Sequence, residues 1–219
     1  MTSVHFDWRR TERSGLPEAV FCASKSADQI GEIVNLALGR KHSLLLTKLT
    51  EEAFEGLAEE IRARLDHDSL SGTAILDCGL APATEKGVCV VAAGTSDMPV
   101  AAEARRTLGF HGIDAPLVCD VGVAGLWRLM ERIDEIRRHR VVIAVAGMEG
   151  ALFSVLGGLV PGLVIAVPTS VGYGVAEGGR AALKAALASC VPGVVVVNID
   201  NGYGAAAAAV KIEALRGAQ

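Results

Sequence analysis

Aromatic residues are scarce, only 4% of 219 positions, which leaves little equipment for stacking on nucleic-acid bases. There is no basic excess either: 21 Lys and Arg stand against 25 Asp and Glu, a formal net charge of −4. Neither a nucleic-acid backbone nor an anionic membrane surface is expected as a partner. No apolar run reads as a membrane span, because the longest, Ala151–Val167, is broken by Gly157, Gly158, Pro161 and Gly162. The opening stretch MTSVHFDWRRTERSG has no apolar centre of the kind a secretory signal carries. Five cysteines with no C-x-x-C pair give neither a disulfide framework nor a zinc site. A reducing, cytoplasmic setting is expected.

What is present is apolar. Hydrophobic residues make up 51% of the chain and charged residues 21%, enough for a large core and too apolar for a disordered chain. Residues 1–80 read as a small α/β appendage. Ser26–Leu38 has helical spacing, with Ile30, Ile33, Val34 and Leu38 on one face and Ser26 as cap. Leu44–Leu46 and Gly72–Leu76 read as strands, with a helix from Thr50 to about Leu65 between them. Asp77–Lys86, holding Gly79 and Pro82, reads as the linker. Residues 81–219 are more regular. Gly87–Ala93, Leu117–Cys119, Val141–Ala146, Leu163–Val167 and Val194–Asn198 are five apolar strands. Helical stretches lie between them at Met98–Leu108, Gly125–Arg138, Gly150–Leu159 and Glu177–Ser189, and an alanine-rich helix closes the chain at Ala205–Leu215. Continuous apolar strands alternating with helices predict a three-layer, flavodoxin-like α/β core with a parallel sheet covered on both faces. Such a sheet binds ligands beyond the carboxyl ends of its strands.

The residues after each strand therefore matter most. Gly94-Thr95-Ser96-Asp97-Met98-Pro99 can cradle an anion on helix-start N–H groups, or simply cap the helix. Asp120 reads as a strand-end polar group or as a cap. Glu149, among small and apolar residues in AGMEGAL, suits proton transfer if it is buried, or is a solvated helix-start glutamate. The glycines of Pro168–Gly174 lack G-x-G-x-x-G spacing. Asn198, Asp200 and Asn201 crowd the last strand end, where Asn-Gly also reads as a turn. Cys190 ends the helix before that strand and is a nucleophile or a small core residue; Cys89 and Cys119 read as core thiols. None of the five histidines falls at a strand end, and G-x-S-x-G and the P-loop signature are absent.

The segments AAGTSDMPVAAEA, DVGVAGLWRL, VAGMEGALFSVLGGLV, AVPTSVGYG and SCVPGVVVVNIDNGYGAAAAA resemble the LarB family of nickel-pincer cofactor biosynthesis. That family is similar in its C-terminal part to the phosphoribosylaminoimidazole carboxylases (PurE) of purine synthesis. The N-terminal RRTERSGLPEAVFCASKSADQI shares the resemblance. It implies a PurE-like core in a homo-octamer. It also implies an enzyme that carboxylates the pyridinium ring of nicotinate adenine dinucleotide with CO2 and hydrolyses its diphosphate, giving pyridinium-3,5-biscarboxylate mononucleotide and AMP. By the same resemblance Cys190 is the nucleophile and Ser96 and Asp97 contact substrate, and Glu149 is the candidate for the proton transfer. Thr169, Ser170, Gly172, Asn198, Asp200 and Asn201 then line the pocket. No tightly bound cofactor is implied. Mg²⁺ is a candidate for the diphosphate step, with Asp97, Asp120 and Asp200 to help hold it. Two positions depart from the relatives. The purine carboxylases have histidine where Glu149 stands, and many LarB sequences have histidine where Trp127 stands. The alternatives are an aminoimidazole ribonucleotide carboxylase or mutase, and a non-catalytic nucleotide-binding scaffold.

Overall fold

The structure is a computed structural model and describes residues 5–216. The chain divides into two compact units, Met1–Pro82 and Ala83–Gln219.

The first unit holds α1 (Arg10–Ser14), β1 (Val20–Phe21), α2 (Ala27–Arg40), β2 (Leu44–Thr47), α3 (Glu51–Glu55), α4 (Glu59–Arg62), β3 (Asp66–Asp68) and β4 (Thr73–Leu76). Its sheet runs β1-β2-β4-β3, with β1 and β2 parallel and the other pairs antiparallel. Ser26 caps α2 in a reciprocal box with Gln29, and Ile30, Ile33, Val34 and Ala37 are buried on one face. The helix expected over 50–65 is two short helices. Gly56, a weak helix former, ends the first, and the chain re-enters a helix at Glu59. β3 was not expected, because Asp66-His67-Asp68 has no apolar alternation. It forms by pairing with β4 after a turn in which Gly72 takes a φ of +59°.

The second unit contains β5 (Thr84–Glu85), β6 (Val88–Ala92), α5 (Met98–Phe110), β7 (Ile113–Asp114), β8 (Leu117–Val118), α6 (Leu126–Ile136), β9 (Val141–Ala146), α7 (Ala151–Leu159), β10 (Leu163–Pro168), α8 (Arg180–Leu187), β11 (Val194–Val196) and α9 (Gly202–Arg216). The five main strands pair in parallel in the order β11-β10-β9-β6-β8, and β5 pairs with β7 apart from them. Counted along the chain, the main sheet reads 2-1-3-4-5, the doubly wound flavodoxin-like order. The expected helix over 177–189 begins only at Arg180, because Glu177 and Gly178 leave helical geometry.

Alternate strand residues face opposite layers. Val90, Ile143 and Ile165 meet α5 and α9 on one side. Val91, Val142 and Val164 meet α6, α7 and α8 on the other, around Leu129, Phe153 and Ala182. α9 packs closely on α5 because its inward residues, Ala205, Ala206 and Ala209, are small and fully buried. The contact is tightest at Gly202, where a Cβ would collide with the Val100 carbonyl. The Gly202 N–H donates to buried Glu103 at 3.0 Å, which satisfies the first turn of α9. Gly202→Ala should therefore push the two helices apart and cost about 1–3 kcal/mol of stability, read by urea unfolding.

Candidate active site

β6 and β9 lie side by side, yet the helices that follow them pack on opposite faces of the sheet. Their carboxyl ends therefore diverge, which is where a doubly wound sheet opens a crevice. A cleft of about 390 Å³ lies there, and its polar lining is Ser96, Asp97, Asp120, Arg128 and Glu149. A larger groove of about 540 Å³ runs along α2 in the first unit, but it gathers only Asp28 and Glu32 as titratable groups.

Asp97 is the most constrained of these residues. A single 3₁₀ turn follows β6 and swings its side chain back under the strand end. One carboxylate oxygen accepts the Gly94 N–H at 2.9 Å and the other accepts the Thr169 hydroxyl at 2.6 Å. The Gly147 N–H adds a third bond. Asp97 is 4% exposed and Thr169 is fully buried. Burial pushes the Asp97 carboxyl above its ordinary range; the three hydrogen bonds oppose that rise and the nearby Asp200 charge adds to it. Ser96 sits exposed on the cleft rim.

The turn after β9 is equally tight. A Cβ at Gly147 would collide with the Val171 carbonyl and come within 2.7 Å of the Thr169 hydroxyl. The Met148 N–H donates to the Val171 carbonyl at 2.8 Å, and Met148 itself takes a φ of +52°. This turn delivers Glu149 to the start of α7, where it lines the cleft. Glu149 is exposed there rather than enclosed by its small neighbours.

Arg128 was not singled out from the sequence, and it is the one basic residue among the cleft's lining. It pairs with Asp120, which takes a φ of +58° in the turn after β8. Gly125 makes room for it, since a Cβ there would lie 2.8 Å from the Arg128 Nε. The available signal was an arginine in the first turn of a helix that follows a glycine-rich strand end. Trp127, its neighbour, is exposed on α6.

The remaining expected residues take other places. Thr169 is buried behind Asp97. The Ser170 N–H donates to Asp200 at 2.8 Å, and the Asn201 side chain accepts the Gly204 N–H at 2.7 Å in the first turn of α9. The Asn198 side chain accepts the Ile199 N–H at 2.9 Å. Gly172 has no room for a side chain beside the Ala176 carbonyl. Ser170, Gly172, Asn198, Asp200 and Asn201 are absent from the lining of the cleft. Among the described residues no three of His, Cys, Asp and Glu gather to hold a metal ion. Asp97, Asp120 and Asp200 are each engaged separately, as described above.

The thiols divide sharply. Burial pushes Cys22 and Cys89 up to about 12, so both stay protonated at neutral pH. Cys190 is exposed, and Cys119, expected in the core, is exposed as well because β8 ends at Val118. Cys190 lies in the turn that leads into the amino end of β11, where the Gly193 carbonyl accepts the N–H of Val164 near the start of β10. The cleft lies at the carboxyl ends. The six residues of β10 put the two edges about 20 Å apart at ~3.3 Å per residue. Cys190 is outside the lining of the cleft, although Ser189 before it bonds Ser154 on α7, the helix whose first residues line it.

Residues 1–77 match the LarB/PurE-like N-terminal domain, and residues 87–219 match AIR carboxylase. The chain belongs to the LarB-like AIR carboxylases. An uncharacterized protein of Methanocaldococcus jannaschii is 39% identical over 211 residues, covering 92% of this chain and 80% of its own. A crystal structure of Treponema denticola PurE2 is similar over 58% of this chain and 79% of its own, with 24% identity and a TM-score of 0.47. Membership supports a carboxylase-type enzyme. Among the described residues of this LarB-like protein, no helix is long and apolar enough to cross a membrane.

The Asp97 clamp has a measurable consequence. A carboxyl whose native value lies above its unfolded one stabilises the fold only when protonated, and that contribution is lost as pH rises through the native value. Asn at 97 keeps one acceptor oxygen for the backbone N–H groups and can donate to the Thr169 hydroxyl, without the buried charge. Asp97→Asn should therefore melt at or above the wild-type temperature at pH 7, and the gap should narrow as the pH falls into the acid range.

Proposed function

We propose that this protein carboxylates the pyridinium ring of nicotinate adenine dinucleotide and hydrolyses its diphosphate, releasing the biscarboxylated mononucleotide and AMP. The observation that carries the reading is the exposed thiol of Cys190, in a chain that joins a LarB/PurE-like N-terminal domain to an AIR carboxylase domain. The AIR carboxylase match also favours a second reading, carboxylation of aminoimidazole ribonucleotide. Glu149, standing where those enzymes carry histidine, tells against it.

A pyridinium carbon is electron-poor and does not attack CO2. Addition of the Cys190 thiolate to the ring forms a C–S bond and moves an electron pair onto the ring nitrogen. The product is an enamine. Its nucleophilic carbon then forms the new C–C bond to CO2 and leaves the ring as an iminium. Loss of the proton at that carbon restores the enamine, and expulsion of the thiolate restores the aromatic ring. The sum is replacement of a ring C–H by a carboxylate, with release of one proton. Glu149, solvated on the cleft wall, is the group assigned to take that proton. Hydrolysis adds one water across the diphosphate and gives two phosphate monoesters. Arg128, pre-oriented by Asp120, is positioned to neutralise a phosphate or carboxylate of the substrate. Mg²⁺, when bound, would screen the charge of the diphosphate.

Cys190 is not among the residues lining the cleft, which favours a site shared between copies. In the reading proposed here the protein is a homo-oligomer, an octamer by resemblance, in which Cys190 of one copy meets the Asp97–Arg128–Glu149 cleft of another.

Two experiments test this. The pure cytoplasmically expressed protein, given the dinucleotide, Mg²⁺ and ¹³C-bicarbonate, should yield labelled biscarboxylated mononucleotide and AMP by mass spectrometry, and Cys190→Ala should yield none. Turnover of aminoimidazole ribonucleotide instead would favour the second reading, and no turnover of either would favour a scaffold. Separately, Cys190→Ala and Glu149→Gln should each be nearly inactive alone. Co-expressed as mixed oligomers they should recover about a quarter of wild-type activity, because random assembly pairs an intact thiol with an intact cleft at that frequency. No recovery would place the thiol and the cleft in the same chain.

A further inference from the structure

We propose that Ser154, acting through Ser189, is a positioning residue for the Cys190 thiol. The inference rests on the reading of Cys190 as the nucleophile.

Cys190 is exposed in the turn between α8 and β11, so its own packing does not fix it. A nucleophile free to wander on such a turn would seldom meet the geometry that attack requires. The residues on either side of it are held, however. The Ser189 hydroxyl lies 2.8 Å from the Ser154 hydroxyl on α7. The same Ser189 oxygen accepts the Val191 N–H at 3.4 Å, closing a small turn around Cys190. Val191 is seated against α7 at Gly157, where a Cβ would come within 2.9 Å of the valine methyl. Ser154 and Gly157 are three residues apart and share a face of the helix. One side of α7 therefore grips the chain immediately before and after the thiol.

The hydroxyl has no role in the helix itself. α7 reads ALFSVLGGL, apolar apart from Ser154. Serine is a poorer helix former than alanine, and half-burying its hydroxyl costs free energy unless it finds a partner. Its partner is Ser189. The first residues of the same helix, Ala151 and Leu152, line the cleft, so a single nine-residue helix fixes both a cleft wall and the turn that carries Cys190.

The test is steady-state kinetics on the full-length protein with the dinucleotide. Ser154→Ala should lower kcat about tenfold with KM unchanged, and Ser154→Thr, which keeps the hydroxyl, should retain most of the wild-type kcat. Ser189→Ala removes the same bond from the non-helical side, together with the Val191 contact, and should lower kcat at least as much as Ser154→Ala, which guards against a helix that folds poorly. Wild-type kcat in both alanine variants, beside an inactive Cys190→Ala, would overturn this inference alone. Equal losses in Ser154→Ala and Ser154→Thr would reduce Ser154 to helix packing and overturn it too. Full turnover by Cys190→Ala would overturn the nucleophile reading and this inference with it.

Discussion

The buried carboxylate of Asp97 is the interaction on which the cleft depends. It ties Gly94 after β6, Gly147 after β9 and Thr169 after β10 to a single side chain. Those three loops leave the sheet from different strands, and a divergent crevice has no backbone ladder to hold its walls. Burying a carboxylate is unfavourable, and only several hydrogen bonds make it tolerable. The pay-off is a preformed cleft, whose walls need not be ordered when a ligand arrives. The glycines follow from the same constraint. Gly147 must lack a side chain because the Thr169 hydroxyl and the Val171 carbonyl already occupy that space.

The fold was legible where burial is symmetrical. The runs Val88–Ala92, Val141–Ala146 and Leu163–Pro168 are buried along almost their whole length, and a strand covered on both faces shows as a continuous apolar stretch. Elements formed by tertiary pairing were not legible. Asp66–Asp68 is polar and becomes a strand only because β4 offers it a partner, and the break at Gly56 leaves the apolar spacing of its neighbours unchanged. In the site, Ser96, Asp97 and Glu149 follow from the rule that ligands meet the carboxyl ends of parallel strands. Arg128 does not, because its direction depends on the left-handed turn at Asp120 and the missing side chain at Gly125. Asn198, Asp200 and Asn201 also follow a strand end, but β11 is an edge strand, two places from the divergence between β6 and β9.

The place of Cys190 was implicit in chain order. In a parallel sheet every strand-to-helix loop lies at the carboxyl edge and every helix-to-strand loop at the amino edge. A residue between α8 and β11 is therefore not expected in the lining of the cleft, and Cys190 is absent from it. If thiol and cleft act together, as proposed, the chemistry is a property of an assembly rather than of one chain. The surface suits that reading. Leu126, Trp127 and Met130 form an exposed apolar stretch on α6, next to the helix turn that carries Arg128, and Tyr173 and Val175 stand out from the loop that follows β10. On the other edge, Leu187 and Val195 are exposed on either side of Cys190. Exposed apolar side chains of this size are costly in water and suit contact with another surface. In the assembly proposed above, a second copy would cover apolar residues beside the cleft and beside Cys190 and bring the two together.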